Sequence, residues 1–208
     1  MKQAGLQEDF DGQRPDARLA WFGPPARWSL HDSRLIICPA AQTDYWQRTH
    51  YGFSADNGHF LGLPLTGDFL MSTRVRSRPA HQYDQAGLMV RYSPDCWLKT
   101  SVEFEPDGPS RLGAVVTAAG YSDWSTQDFE LSPDAVELRI RKRGEDFTVD
   151  YRRSPTAEAT GTGDRWSQIR IAHLASPGSS PLYAGVYACS PKGAGFEARF
   201  DYLRIECS

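Results

Sequence analysis

The chain has 208 residues, 40% of them hydrophobic and 24% charged, which suits a soluble protein with one well-cored domain. Its 23 Lys and Arg stand against 26 Asp and Glu, a net charge of −3 with no basic block, so nucleic-acid or anionic-membrane partners have no electrostatic support. No apolar run approaches the ~18 residues of a membrane span, and the polar start MKQAGLQEDFDGQRPD is no signal peptide. Cys38, Cys96, Cys189 and Cys207 form no CxxC, so free thiols in a reducing cytoplasm are expected, with a disulfide between distant strands as the alternative.

Residues 1–20 are expected to be a peripheral segment of a single domain spanning 1–208. RLIIC (34–38) reads as the first strand, followed by an irregular stretch rich in Trp and Tyr through Phe60. GDFLMSTRVRSR (67–78) alternates Phe69, Met71, Thr73 and Val75 against Arg74 and Arg76. Strands follow at 85–92, 97–105 and 111–120. Residues 135–154 read as a hairpin turning at KRGED, with Val136, Leu138, Ile140, Phe147, Val149 and Tyr151 inward. Its outer positions, Glu137, Arg139, Arg141, Asp150 and Arg152, read as a solvated convex face. Strands at 166–174, 182–190 and 196–206 complete the series. No segment has helical apolar spacing, so the fold expected is all-β: a two-sheet antiparallel jelly-roll sandwich.

The stretch YDQAGLMVRYSPDCWLKTSVEFE (83–105) carries the main functional signal. Ala86, Leu88, Val90, Leu98, Val102 and Phe104 form a core face. The opposite face carries Gln85, Met89, Arg91, Trp97, Lys99, Ser101 and Glu103. Side-chain alternation allows Arg91 opposite Trp97, with Met89 by Lys99 and Gln85 by Glu103. A register with Arg91 against Lys99 costs ~0.2–1 kcal/mol in like-charge contact, so the first is favoured, with Arg91 stacked on Trp97. This second face is expected to floor a groove. TDYWQRTHYGF (43–53), DNGHF (56–60) and GYSDWSTQ (120–127) add aromatics with polar tips near loops, a chemistry that suits sugars. Trp21, Trp28 and Trp166 are assigned to structure.

Glycosidases need two carboxylates at a set separation. Glu103, Glu105 and Asp107 alternate on one strand, but Pro106 and the PDGP turn remove Asp107. Glu103 paired with Asp123 or with Asp84 is the looser alternative. The five His residues show no HxH or HExxH spacing, so neither a metal nor a cofactor is expected. GTGD (161–164) lacks the context of a phosphate loop, and no G-x-S-x-G elbow occurs.

Together TDYWQRTHYGFSADNGHF, LTGDF, HQYDQAGLMVRYSPDCWLKTSVEF, VVTAAGYSDWS and GVYACSPKGAGFEARFDYLRI resemble one family, from about Trp21 to Ile205. It is the family of unknown function grouped with "regulation of enolase protein", in the concanavalin A-like lectin/glucanase superfamily. The resemblance implies a jelly-roll sandwich, and its superfamily implies sugar binding or cleavage. The calcium-dependent sugar site of legume lectins needs an Asp/Asn loop cluster, and Asn57 is the chain's only Asn. The expected ligand is a carbohydrate or small sugar-like metabolite. Trp46, Trp97 and Trp124 are expected to stack on it, Gln85, Arg91, Lys99, Glu103 and Asp123 to orient it, and Tyr51, Tyr83 and Asp84 to complete the site. The alternatives are a glycan-active enzyme using Glu103 and Asp123, and an interaction module for a protein partner in carbohydrate metabolism, such as enolase, docking through 43–60.

Overall fold

Alternating apolar residues build strands throughout the computed structural model, which describes residues 3–130, 135–153, 165–178 and 181–208. The GTGD segment lies outside the described residues, as does the last residue of the expected 135–154 hairpin. The strands in chain order are β1 (Leu6–Glu8), β2 (Ala20–Phe22), β3 (Arg27–Leu30), β4 (Leu35–Cys38), β5 (Tyr45–Gln47), β6 (Ser54–Asp56), β7 (His59–Leu65), β8 (Phe69–Arg78) and β9 (Gln85–Ser93). They continue as β10 (Cys96–Glu103), β11 (Ser110–Ala118), β12 (Tyr121–Phe129), β13 (Val136–Arg143), β14 (Asp146–Arg153), β15 (Ser167–His173), β16 (Leu182–Cys189) and β17 (Glu197–Cys207).

Sheet I runs β15-β14-β13-β8-β17-β4-β3, with β1 also on β17; sheet II runs β12-β11-β10-β9-β16-β7-β2. Their ladders are antiparallel and their apolar faces meet in one core. Phe69, Met71, Leu138, Ile140, Phe147 and Val149 come from sheet I; Leu88, Val90, Leu98, Leu112 and Val186 come from sheet II. Each fully buried side chain of this size contributes roughly 1.5–3 kcal/mol of transfer free energy. A third ribbon, β5 with β6, stands apart from both sheets and covers part of sheet II's outer face.

Three expectations are corrected. The N-terminal stretch is not peripheral: Leu6 and Phe10 are buried in the core, β1 pairs with β17, and Glu8 accepts the Phe10 and Asp16 N–H groups (2.7 and 2.6 Å). β7 is a buried strand within what read as the irregular stretch and the residues just after it, because Gly62 and Pro64 break the alternation. Pro64 is tolerated because β2 pairs only with Phe60 to Gly62, leaving it no N–H to supply on that side.

Nor is the 135–154 face solvated. Glu137 is only 1% exposed and accepts from Arg74 (2.9 Å), Arg152 (2.7 Å) and the Tyr202 hydroxyl (3.0 Å). Arg139 pairs with Asp150 at 2.9 Å, and both Arg139 and Arg152 stack on Trp166. Asp201, the extra residue where β17 bulges against β8, reaches Arg34 and Arg76. Cross-strand pairs of opposite charge convert a row of ionisable residues into a neutralised layer.

Candidate functional site

The β9–β10 register sets Trp97 opposite Arg91, Lys99 opposite Met89 and Glu103 opposite Gln85, as alternation requires. What the sequence hid is the cover. Tyr45, Trp46, Phe60, Met89, Trp97, Val115, Tyr187 and Cys189 form a second apolar cluster on the outer side of sheet II. The β5–β6 flap presses onto the sheet so closely that a Cβ on Gly58 would sit 2.3 Å from the Tyr45 ring and 2.5 Å from Cys189 Sγ. Tyr45 donates its hydroxyl to the Gly58 carbonyl at 2.8 Å. His59 anchors the chain after the flap: Nδ1 lies 2.6 Å from the Gly23 carbonyl while Nε2 accepts the Ala40 N–H (3.0 Å), an arrangement that puts a ring hydrogen on Nδ1.

Polar ties hold the flap down, three of them at main points along it. Arg91 meets Asp56 of β6 through two bonds of 2.6 and 2.8 Å, with its guanidinium also over Tyr45. The Gln47 N–H donates to Ser122 Oγ of β12 at 2.9 Å. Lys99 Nζ donates to the Tyr45 carbonyl at 2.7 Å.

Between flap and sheet lies a cavity of about 310 Å³, lined by Asp44, Trp46, Tyr51, Phe53, Tyr83, Lys99, Glu103, Val115, Trp124 and Lys192. Its polar floor is a chain of contacts. Lys99, with a side chain 4% exposed, donates to Gln85 Oε1 (2.9 Å) and approaches Asp44 (3.4 Å). Gln85 Nε2 donates in turn to Glu103 Oε2 (2.8 Å), and the Tyr187 hydroxyl lies between Gln85 Oε1 and Ser101 Oγ. Lys99 and Glu103 are therefore coupled through Gln85 rather than paired directly. Burial pushes the Glu103 carboxyl up to about 8, with Asp44 and Glu105 adding to the rise and Lys99 opposing it. A carboxyl pushed toward its protonated form can both donate and accept a hydrogen bond.

Asp84 is buried and works from behind. It accepts the Ala80 and His81 N–H groups (2.7 and 2.8 Å) and holds the turn that presents Tyr83 at φ 71°. Lys192 Nζ lies 5.3 Å from the Tyr83 ring centroid.

The expected residues therefore divide. Trp46, Tyr51, Tyr83, Lys99, Glu103 and Trp124 share the cavity. Gln85 and Asp84 support it from beneath, and Arg91 clamps the flap. Trp97 is fully buried, its indole N–H on the Pro94 carbonyl, so it has no face to offer a ligand; Arg91 stacks on Tyr45 instead. Asp123 is salt-bridged at 2.8 Å to Arg170 of sheet I and does not line the cavity, so Glu103 and Asp123 are not brought together as an acid/base pair. Neither does Asp84 serve as that partner, since its oxygens are occupied by backbone N–H groups and Ser190. Asp107 lies in the turn after β10, as Pro106 implied. Asp44, Phe53, Val115 and Lys192 were not singled out from sequence; Val115 comes in opposite Lys99 through the β10–β11 register, and only long-range folding of the flap and of the β16–β17 connection brings in the other three. Among the described residues no cluster of His, Cys, Asp or Glu could hold a metal ion.

Residues 21–207 match the family model described as "Protein of unknown function (DUF1349)". The chain is 31% identical over 181 residues to "Regulation of enolase protein 1" of Saccharomyces cerevisiae, covering 87% of this chain and 85% of that protein. A crystal structure of a functionally unknown protein from the same yeast superposes with a TM-score of 0.79 at 28% identity, over 92% of this chain and 97% of that one. The xylan β-1,4-xylosidase of Bacillus halodurans C-125 superposes with a TM-score of 0.77 at 16% identity, over 99% of this chain but 40% of that one, a likeness of fold alone. The architecture is the two-sheet antiparallel sandwich of the concanavalin A-like lectin/glucanase type.

Proposed function

The chain belongs to the DUF1349 family of proteins of unknown function, and from that premise we propose that it binds a small carbohydrate or sugar-like metabolite beneath the β5–β6 flap. The observation that carries this reading is the pairing, in one cavity, of aromatic walls with a Glu103–Gln85–Lys99 floor. Sugar rings have apolar faces that stack on Trp46, Trp124 or Tyr51, and hydroxyls that suit a neutral carboxyl able to donate and accept. A volume of about 310 Å³ lies at the small end of ligand pockets and suits a single ring better than a long polymer. One protein that contains this fold is a xylan β-1,4-xylosidase, in keeping with this reading. Four free thiols fit a cytoplasmic location.

The test is calorimetric titration with glucose, galactose and xylose, and with the β-1,4-xylo- and β-1,3-gluco-oligosaccharides up to the tetrasaccharide. Binding in the wild type that is lost in Trp124→Ala, with an unchanged melting curve, supports the reading. No binding by any sugar, or binding indifferent to Trp124→Ala, rejects it.

A second reading has one observation in its favour. A carboxyl whose pKa is raised is what a general acid requires, and burial raises that of Glu103. The other acid lining the cavity is Asp44, already engaged with Lys99. Release of reducing sugar from the same oligosaccharides, abolished in Glu103→Gln, would support catalysis; intact oligosaccharides after prolonged incubation would exclude it for these substrates.

A further inference from the structure

Past Trp46, Tyr51 and Trp124, which line both spaces, the cavity adjoins a broader one of about 520 Å³ that also reaches Thr49, His50, Tyr121, Ser122 and Asp123. Tyr83, Lys192 and Glu103 line the first cavity and not the second, so they stand away from the shared rim. The β11–β12 hairpin sets Tyr121 in place. Ala118 pairs with Tyr121, and the two residues between, Ala119 (φ 51°) and Gly120 (φ 76°), both take the left-handed conformation of a tight type I′ turn. Arg48, in the turn of the flap, lies 5.5 Å from the centroid of the Tyr121 ring and ties this platform to the flap.

Exposure supplies a separate observation. Among the described residues five large apolar side chains are exposed, and three of them, Tyr51, Phe53 and Tyr121, border these two cavities. Clustered aromatic surface held in water marks a place where something apolar is covered. Tyr51 and Tyr121, at 58% and 59% exposure, both border the outer cavity.

Resting on the carbohydrate reading above, we infer that the ligand is a short oligosaccharide read from one end. Its terminal ring occupies the narrower cavity over Glu103, and the following ring leaves across the Trp46–Trp124 rim onto Tyr51 and Tyr121. Hydroxyls of that second ring meet the His50 imidazole and the Thr49 hydroxyl.

The experiment measures affinity against chain length in the same two oligosaccharide series. In the wild type, affinity rises about tenfold, close to 1.4 kcal/mol, from mono- to disaccharide and levels off by the tetrasaccharide. Tyr121→Ala retains the monosaccharide affinity and flattens the rise, while Tyr121→Phe, which keeps the ring, restores it. Because Tyr121 is exposed, the melting temperature stays unchanged and serves as the control for folding. A flat series with measurable monosaccharide binding overturns this inference and leaves the carbohydrate reading intact. A rise that survives Tyr121→Ala overturns it equally. Failure of every sugar to bind removes both.

Discussion

The two outer faces of the sandwich each contain a glutamate whose ionisation burial opposes, and the two are treated oppositely. On sheet I, burial opposes ionisation of Glu137, but hydrogen bonds from Arg74 and Arg152 outweigh it and hold the carboxyl below its ordinary range. On sheet II, burial dominates at Glu103, where the nearest cation, Lys99, is engaged by Tyr45, Gln85 and Asp44. The first face is closed chemistry: its charges satisfy one another. The second has folded chain over itself, built a small extra core, and left one polar floor with room above it. Titratable residues in strand patterns therefore do not mark a site by number; a group whose charge is not compensated beside an open volume does.

The comparison can be broken from several directions. Trp97 belongs to the extra core and Trp124 to the cavity wall, so Trp97→Ala should lower stability by ~3–5 kcal/mol in urea unfolding, whereas Trp124→Ala should cost about 1 kcal/mol or less and act on binding. Equal losses would mean the flap is no core. Next, Glu137→Ala leaves two arginines and the Tyr202 hydroxyl without their acceptor. Because both arginines are partly exposed, about 2–3 kcal/mol should be lost, with sugar binding unchanged.

The pH dependences have opposite signs. Glu137, lowered in the folded state, contributes stability present above the ordinary carboxylate range and lost on acidification. Glu103, raised from 4.5 to about 8, makes the folded state bind a proton the unfolded chain releases, so stability should fall as pH rises through that window. Glu103→Gln should flatten the decline, and Glu137→Gln should leave it in place; melting curves between those limits decide. Asp56→Ala, which frees Arg91, should cost about 1 kcal/mol and weaken sugar binding several-fold by loosening the flap. The smallest effect is expected of Asp123→Asn, within about 0.5 kcal/mol and silent in monosaccharide binding, since it alters an ion pair that borders the outer cavity and not the floor.

Period-two alternation carried most of the fold. It placed β8 to β11, β13, β14, β16 and β17 within a few residues and set the β9–β10 register, because the residues of each strand that face the main core are apolar at every second position. It failed where burial is two-sided or interrupted, as at Gly62 and Pro64 of β7, and at β12, an edge strand whose polar residues read as a loop. The site was legible in part for the same reason. Alternation shows that Lys99, Glu103 and Trp97 leave the core face, but not that a distant ribbon will bury Trp97 and leave Glu103 facing a cavity. That outcome is decided by contacts between residues 43–58 and strands far along the chain, such as Gln47 with Ser122 and Asp56 with Arg91. Asp123 misled because its loop-like surroundings gave no sign that Arg170 would claim it.

The central claim, that ligand sits between the flap and sheet II, is tested most directly by following the six tryptophan indole N–H signals during titration with the tightest-binding oligosaccharide. Trp46 and Trp124 line the cavity and should shift together in proportion to occupancy, while Trp28 and Trp166 stay fixed. Saturable binding that moves Trp28 or Trp166 and leaves Trp46 and Trp124 unmoved would contradict the claim.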